Sequence, residues 1–193
     1  MTRGRRTPAV LLALTPWPAA AHDAFGDLGP FYANLLHPLA DPAQAVLLAG
    51  FAVLLARQPL ESVRIGYAAL AIAGTFTVLC ALVLGVSPPS LLAVGLLATA
   101  LGVCALPKWR TPRVAIVALG VAVAVLAGLG VERASGLRPG ILTVLGAAIG
   151  LGVATLLLWA SFDLLRRRIG EIACAVAGSW VAAIGIMTAV LPR

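Results

Sequence analysis

Residues 28–56 read LGPFYANLLHPLADPAQAVLLAGFAVLLA, and this stretch decides how the rest of the chain can fold. It begins with a glycine, a proline and aromatic residues, passes through a polar cluster, and ends as an apolar helix. The cluster contains Asn34, His37, Asp41 and Gln44. Because most of the later sequence is apolar, this cluster is where a polar ligand would find binding groups.

The composition is that of a membrane protein. Of the 193 residues, 61% are hydrophobic and 11% are charged, whereas a soluble domain carries about 25% charged residues. The mean hydropathy is +1.04, and the apolar runs approach the roughly 20 residues that a helix needs to cross a bilayer. We therefore predict an all-α, multi-pass bundle of six transmembrane helices over residues 30–193. The first span ends at Ala56, and the others cover 65–86, 91–106, 114–131, 141–162 and 172–191.

The first 21 residues have the features of a secretory signal peptide. Three arginines precede a short apolar run at 8–14, and three alanines follow at 19–21. The apolar run is too short to cross a bilayer, and Pro16 and Pro18 would break a helix there. We expect cleavage after the alanines, which makes His22 the first mature residue of a short periplasmic segment at 22–29. An uncleaved anchor is the alternative.

The basic residues indicate the orientation of the chain. If the mature N-terminus lies outside, the inner loops carry groups of two, three and three basic residues, and the outer side carries three. The positive-inside rule favours this arrangement, which places both termini of a bacterial inner-membrane protein in the periplasm. The inner residues are Arg57 and Arg64; Lys108, Arg110 and Arg113; and Arg166, Arg167 and Arg168, and the outer ones are Arg133, Arg138 and Arg193.

Glycine pairs recur in the predicted spans at helical spacing. Gly146 and Gly150 are four residues apart, and the pairs 95/102 and 178/185 are seven apart, so each pair lies on one face of its helix. Small residues let membrane helices approach closely. The pairs predict close packing, either within the monomer or between copies in a homo-oligomer.

The sequence around Asp41 predicts the start of a helix. Asp41 is a favourable N-cap, Pro42 suits the first helical position, and Gln44 stands where a capping-box partner belongs. A helix from Pro42 to Ala56 would be about 22 Å long, shorter than the ~30 Å hydrocarbon core. We therefore predict that residues 28–40 complete the depth as a second short helix.

We expect the first span to break at His37–Pro38. Irregular backbone at membrane depth is tolerated where it lines a cavity, and transporters place their sites at such breaks. The break predicts a small outward-facing pocket. Its lining residues would be Tyr32, Asn34 and Gln44, together with His37 and Asp41.

Three residues are candidate metal ligands. His37 could bind nickel, copper or zinc through its imidazole, with Asp41 completing the coordination or orienting the ring. His37 could instead hydrogen-bond a backbone carbonyl, while Asp41 only caps the helix. A mature terminus at His22 could chelate an ion through its amine and imidazole. A site with only two or three ligands binds an ion weakly and can release it. We therefore expect no permanently bound cofactor.

The sequence carries no pattern typical of an enzyme, such as a Walker A motif, a nucleophile elbow, HExxH or CxxC. The net charge of +7 does not indicate a nucleic-acid partner, because the basic residues lie between apolar runs. We therefore predict a protein that is not an enzyme and whose main partner is the lipid bilayer.

The layout of a signal peptide, a mature start at His22, a glycine-containing segment and the pattern F-x-x-x-L-x-HPL within six spans resembles the HupE/UreJ family of hydrogenase and urease accessory membrane proteins. In that family a glycine and an Asp-His pair follow HPL, and the histidine and the pair are implicated in metal passage. His37, Pro38 and Leu39 match HPL, whereas Ala43 and Gln44 stand where the pair belongs. The chain would be a divergent member.

This resemblance implies a secondary transporter for a divalent transition-metal ion, Ni²⁺ or Co²⁺, driven by the membrane potential. The alternative is a membrane accessory protein that does not transport. Such a scaffold would help a hydrogenase or urease to mature, and its partners would be metalloenzyme maturation proteins.

Overall fold

The computed structural model describes residues 28–107, 110–131 and 136–190. Within these ranges the chain forms seven α-helices and no strand, which confirms the predicted all-α class. The predicted signal peptide, His22 and most of the short segment that follows it lie outside the described residues. The helices are α1 (Gly29–Ala40), α2 (Pro42–Ala56), α3 (Leu60–Leu84), α4 (Leu91–Cys104), α5 (Arg113–Leu129), α6 (Leu137–Ile169) and α7 (Glu171–Val190).

Three helices, α3, α6 and α7, are long and apolar enough to cross a membrane. Helices α1 and α2 meet the same criterion as a pair bent by 65°, which brings the number to four. Helices α4 and α5 are apolar but have only 14 and 17 residues, or about 21 and 26 Å, against a hydrocarbon core of ~30 Å. The described residues thus form a helical bundle suited to a membrane, but helix length does not support six spans.

The predicted break at His37–Pro38 is wrong, because α1 continues through Pro38 to Ala40. The bend lies at Asp41, whose backbone is extended with φ −81° and ψ 113°. Asp41 precedes Pro42, and the ring of a proline disfavours helical geometry in the residue before it. Pro38 is buried in the last turn of α1, where the lost backbone hydrogen bond is offset by packing.

Helix α2 is the centre of the bundle and contacts all six other helices. Leu47, Leu48 and Phe51 are fully buried, and every residue from Gly50 to Ala56 is buried as well. A helix that is apolar on all sides is buried either in a protein core or in a membrane. Here the other helices, rather than lipid, cover most of α2, and their contacts fix the positions of both of its ends.

The predicted glycine contacts are made within the monomer. Gly146 and Gly150 of α6 lie directly against the carbonyl oxygens of Phe31 and Leu35 in α1. A Cβ at either glycine would collide with that backbone, so only glycine permits this approach. The glycine face predicted on α6 thus holds α1, the helix that carries His37, onto the bundle.

The other glycine pairs face each other between helices. On α4 and α7, Gly95 packs against Gly185, and a Cβ on Gly102 would come within 2.6 Å of the Gly178 carbonyl oxygen. These contacts make α4 and α7 antiparallel. By the same reasoning α1 and α6 are parallel, and so are α3 and α5, whose glycines 66 and 74 face glycines 120 and 128.

These directions define two ends of the bundle. The His37 end comprises the α1–α2 bend, the C-terminus of α5 and the start of α4. The Arg57 end comprises the α2–α3 turn, the C-termini of α4 and α6, and the start of α7. When the bent pair α1 and α2 is counted as one unit, successive helices run alternately from one end to the other.

Candidate functional site: the His37 end

His37 links α1 to the end of α5 through a side-chain hydrogen bond. Its half-buried ring places Nε2 3.0 Å from the carbonyl oxygen of Gly130. Because a carbonyl only accepts, Nε2 donates this hydrogen bond, and Nδ1 of the neutral ring is left as an acceptor. The last carbonyls of a helix lack partners within it, so His37 supplies one for α5. This is the carbonyl-bonding role that the sequence offered as the alternative to a metal ligand.

Asp41 caps α2, as its position before Pro42 predicted. Its Oδ1 accepts a hydrogen bond of 2.9 Å from the backbone N–H of Ala43. The predicted capping box with Gln44 does not form, because the N–H of Asp41 donates to the carbonyl oxygen of His37 instead, at 2.9 Å. Capping occupies one carboxylate oxygen of Asp41 and leaves Oδ2 for another partner.

Gln44 does not take part in a capping box and is buried, with 5% of its surface exposed. Among the described residues its Nε2 has no hydrogen-bond partner. It lies so close to Gly130 that a Cβ there would come within 2.6 Å of Nε2. An unpaired buried amide is costly, at about 1–3 kcal/mol, so this side chain is a candidate for binding something that enters.

A cavity of about 90 Å³ lies at this point. Its polar residues are Asp41 and Gln44, and Gly130 forms part of the wall. The remaining wall is apolar and is formed by Ala43, Leu47, Pro88, Pro89, Leu91, Val94 and Leu126. A cavity with polar groups and this volume is large enough for water or a small ion.

The predicted pocket is only partly correct. Asp41 and Gln44 line the cavity, whereas Tyr32, Asn34 and His37 are not among its lining residues. Because α1 stays helical to Ala40, Tyr32 falls on its outer face and is 55% exposed. Asn34 is buried, but its Nδ2 donates to the carbonyl oxygen of Pro30 at 2.8 Å, within its own helix. Its Oδ1 has no partner among the described residues.

The donors at this end are few. In the described part of the chain no group of three or more His, Cys, Asp or Glu side chains could hold a metal ion. Nδ1 of His37, Oδ2 of Asp41 and the amide of Gln44 are the side-chain atoms available near the bend. Nitrogen and oxygen ligands of this kind suit nickel and cobalt better than they suit a soft monovalent ion.

The opposite end contains a cluster of ion pairs around Arg57, a residue that the sequence placed only in an inner loop. The side chain of Arg57 is 4% exposed and lies 3.4 Å from Glu171 at the start of α7. Its Nη1 donates to the carbonyl oxygens of Ala105 and, at 3.1 Å, Leu106, just past the end of α4. The last turn of α4 contains no basic residue of its own. This is a sequence signal that could have indicated a basic partner from elsewhere in the chain for these carbonyls.

The cluster continues along the end of α6. Arg166 pairs with Glu171 at 3.1 Å and with Asp163 at 2.9 Å, and Asp163 also accepts from Arg167 at 2.7 Å. Together with Arg57 these residues form a chain of ion pairs that joins α2, α4, α6 and α7. We call Arg57, Asp163, Arg166, Arg167 and Glu171 the Arg57 cluster.

No protein-family model matches this chain, and no curated protein or solved structure does either. The resemblance to the HupE/UreJ family therefore stays a prediction, carried by residues 31–39 and by the layout of the helices.

Proposed function

We propose that the protein is a secondary transporter of the bacterial inner membrane that takes up a divalent transition-metal ion, Ni²⁺ or Co²⁺. The ion enters at the His37 end, from the periplasm. The observation that carries this proposal is the buried amide of Gln44, which has no partner among the described residues and lies beside the Asp41 carboxylate in the cavity at the bend. The resemblance to the HupE/UreJ family agrees with it.

In this proposal the chain crosses the membrane six times, with α1 and α2 forming one span. The alternating directions of the helices support six crossings, although α4 and α5 are short for the bilayer. A short helix is accommodated by local thinning of the bilayer at modest cost. The surplus of basic residues at the Arg57 end supports a cytoplasmic position for that end, with the His37 end and both termini facing the periplasm.

The ion meets a negative carboxylate first. Oδ2 of Asp41 attracts the cation, and the amide of Gln44 turns its oxygen toward it. His37 does not line the cavity, so its Nδ1 joins as a nitrogen ligand only after α1 moves. The side-chain amide of Gln44 can rotate and exchange the positions of its oxygen and nitrogen, because no capping-box hydrogen bond holds either atom. With so few ligands the ion is bound weakly and leaves again, as transport requires.

Passage beyond the cavity requires a conformational change. Below Gln44 the surface of α2 is apolar and fully packed, and the Arg57 cluster closes the far end. Alternating access by movement of helices around a broken span is the usual solution. The membrane potential suffices as the driving force, since an inward divalent ion gains about 4.6 kcal/mol per 100 mV, at 2.3 per charge.

A second function has its own support. His37 and Asp41 each make a structural hydrogen bond, and no three-ligand metal group is present in the described residues. A membrane scaffold for metalloenzyme maturation needs neither a metal site nor a path through the bundle. The two functions differ in whether cells that contain the protein accumulate the ion.

The test is accumulation of radiolabelled nickel in a bacterial host deficient in nickel uptake. Wild type, His37→Ala, His37→Gln and an empty vector are compared at equal, verified membrane insertion. We expect uptake by wild type only, because Gln can keep the bond to Gly130 but offers no imidazole nitrogen. Uptake by both variants would remove His37 from the site, and no nickel or cobalt uptake by inserted wild type would favour the scaffold.

Asp41→Asn separates the two roles of the carboxylate. Asn caps a helix about as well as Asp, so the stability of the protein should be unchanged while uptake falls, because the negative charge is gone. Asp41→Ala serves as the control for the cap and should cost about 1 kcal/mol of stability. Wild-type uptake by Asp41→Asn would show that the carboxylate only starts α2.

A further inference from the structure

A groove on the outer surface of the Arg57 end is not used by the proposed transport path. It lies where α3 and α6 meet over the end of α2 and has a volume of about 130 Å³. We call it the Arg64 groove. Its lining residues are Leu55, Leu60, Val63, Arg64, Tyr67, Leu156 and Trp159.

The walls of the Arg64 groove present only apolar surface. An apolar cavity of about 150 Å³ stays dry and accepts a molecule such as benzene, so this groove suits a segment of hydrocarbon chain. It is too small for a partner helix, which is about 10–12 Å across with its side chains. The volume therefore favours a lipid chain over a second copy of the protein.

A positive charge stands at the rim. Arg64 is exposed, and its guanidinium makes no ion pair or hydrogen bond with the described residues. The nearest acid along α3, Glu61, is paired with Arg113. Arg64 follows the start of α3 by about 6 Å, so its stem lies along the groove while its head reaches the level of the lipid headgroups.

We propose that the Arg64 groove binds an anionic phospholipid, with the phosphate at Arg64 and the start of one acyl chain between Tyr67 and Leu156. The charge at the rim selects an anionic headgroup, and a leaflet that faces the cytoplasm is rich in such lipids. Tyr67 and Trp159 have the amphipathic rings that lie at the membrane–water interface. This site is independent of metal transport and rests on the proposed function only for the orientation of the bundle, with the Arg57 end at the cytoplasmic side of the membrane.

The test compares two lipids that share their acyl chains, phosphatidylglycerol and phosphatidylcholine. Full-length protein is delipidated in detergent, each lipid is added, and bound lipid is counted by native mass spectrometry while the thermal unfolding midpoint is recorded. We expect phosphatidylglycerol to bind more tightly and to raise the midpoint more. Equal binding of both lipids would overturn the proposal, as would the same rise produced by inorganic phosphate alone.

Two matched pairs of variants locate the site. Arg64→Gln should weaken phosphatidylglycerol about fivefold, which corresponds to ~1 kcal/mol per basic residue near the surface, and leave phosphatidylcholine unchanged. Arg168→Gln removes an equally exposed arginine outside the groove and should change neither. An equal effect of both arginine variants would mean attraction by total charge rather than by this groove.

Leu156→Trp fills the groove and should reduce binding of both lipids. Leu157→Trp, at the exposed neighbouring position that does not line the groove, should have no effect. If Leu156→Trp instead changes the oligomeric state seen by native mass spectrometry and leaves lipid binding intact, the groove belongs to a contact between copies and the proposal is wrong.

Discussion

The two ends of the bundle differ in how their buried glutamine side chains are hydrogen-bonded. Each end has one buried glutamine, one turn or less from a terminus of α2. Gln58, at the Arg57 end, has both of its amide atoms bonded to Thr111, with Oε1 accepting at 3.1 Å and Nε2 donating at 3.3 Å. Gln44, at the His37 end, has an Nε2 without any partner in the described part of the chain.

The two ends also differ in the number of contacts that their charged side chains make between helices. At the Arg57 end a chain of ion pairs and carbonyl bonds joins four helices. At the His37 end the bend is held by one histidine–carbonyl bond and one helix cap. The Arg57 end also has buried nitrogens without a partner among the described residues, Nε of Arg166 and Nε1 of Trp159, but several charged contacts join its helices. Because polar networks rigidify a structure, we expect the Arg57 end to be the firmer of the two ends and the His37 end to be the one that can open.

The largest expected effect comes from removing Arg57. Arg57→Gln leaves the carbonyls of Ala105 and Leu106 without their charged donor, in a place where the Arg57 side chain is nearly inaccessible to water. Glu171 keeps its pair with Arg166. We expect a loss of about 2–3 kcal/mol of stability, since hydrogen bonds to charged groups contribute about 1.5–3 kcal/mol, whereas the pair with the 39% exposed Glu171 adds little. Thermal unfolding in detergent measures it.

Arg168→Gln is the control for Arg57, because Arg168 is exposed at the same end and makes no ion pair with the described residues. It should unfold like wild type. If Arg57→Gln also unfolded like wild type, the Arg57 end would not be the firmer of the two, and the contrast between the ends would fail.

A smaller loss is expected when the anchor of the His37 end is disturbed. In Gly150→Ala the new Cβ meets the carbonyl oxygen of Leu35, so α1 must shift away from α6. We expect a loss of about 1–3 kcal/mol, the usual cost of overpacking, and reduced nickel uptake because His37 moves with α1. Val153→Ala, on the exposed face of α6, is the control and should retain uptake. Unchanged stability and uptake in Gly150→Ala would show that α1 can shift freely.

The smallest effect on stability, and the sharpest contrast, is expected for the two glutamines. Replacing an unpaired buried amide by an apolar group of similar shape is neutral or stabilising, so Gln44→Leu should keep or slightly raise the unfolding midpoint while uptake is lost. Gln58→Leu breaks two hydrogen bonds and should cost about 1–2 kcal/mol. Equal destabilisation by both substitutions would mean that Gln44 is bonded as firmly as Gln58.

The sequence predicted those features that depend on neighbours along the chain. Asp41 before Pro42 indicated a capped helix, and the spacing of Gly146 and Gly150 indicated a close contact. The bend at Asp41 was misplaced by one turn, because a proline by itself does not show whether packing will keep the residue before it helical. Pro38 is buried inside α1, and the residue before it stays helical. The residue before Pro42, Asp41, is extended.

Contacts between distant parts of the chain were not predictable. His37 bonds a carbonyl 93 residues away, and Arg57 bonds carbonyls 48 and 49 residues away. Backbone carbonyls leave no mark in the sequence, so a pattern search for ligand side chains cannot find such partners. The charged end of α6 was expected to be a loop, but Asp163 pairs with Arg166 and Arg167 at helical spacing and the helix continues to Ile169.

The central position of α2 has a consequence for the biogenesis of the protein. Helix α2 leaves the ribosome before α4, α6 and α7, the helices that cover most of its surface. During synthesis it therefore waits beside lipid or the insertion machinery until α7 arrives, and α7 also covers the glycine face of α4. A chain interrupted before Glu171 leaves both surfaces bare, so we expect membrane quality control to remove such fragments rather than tolerate them.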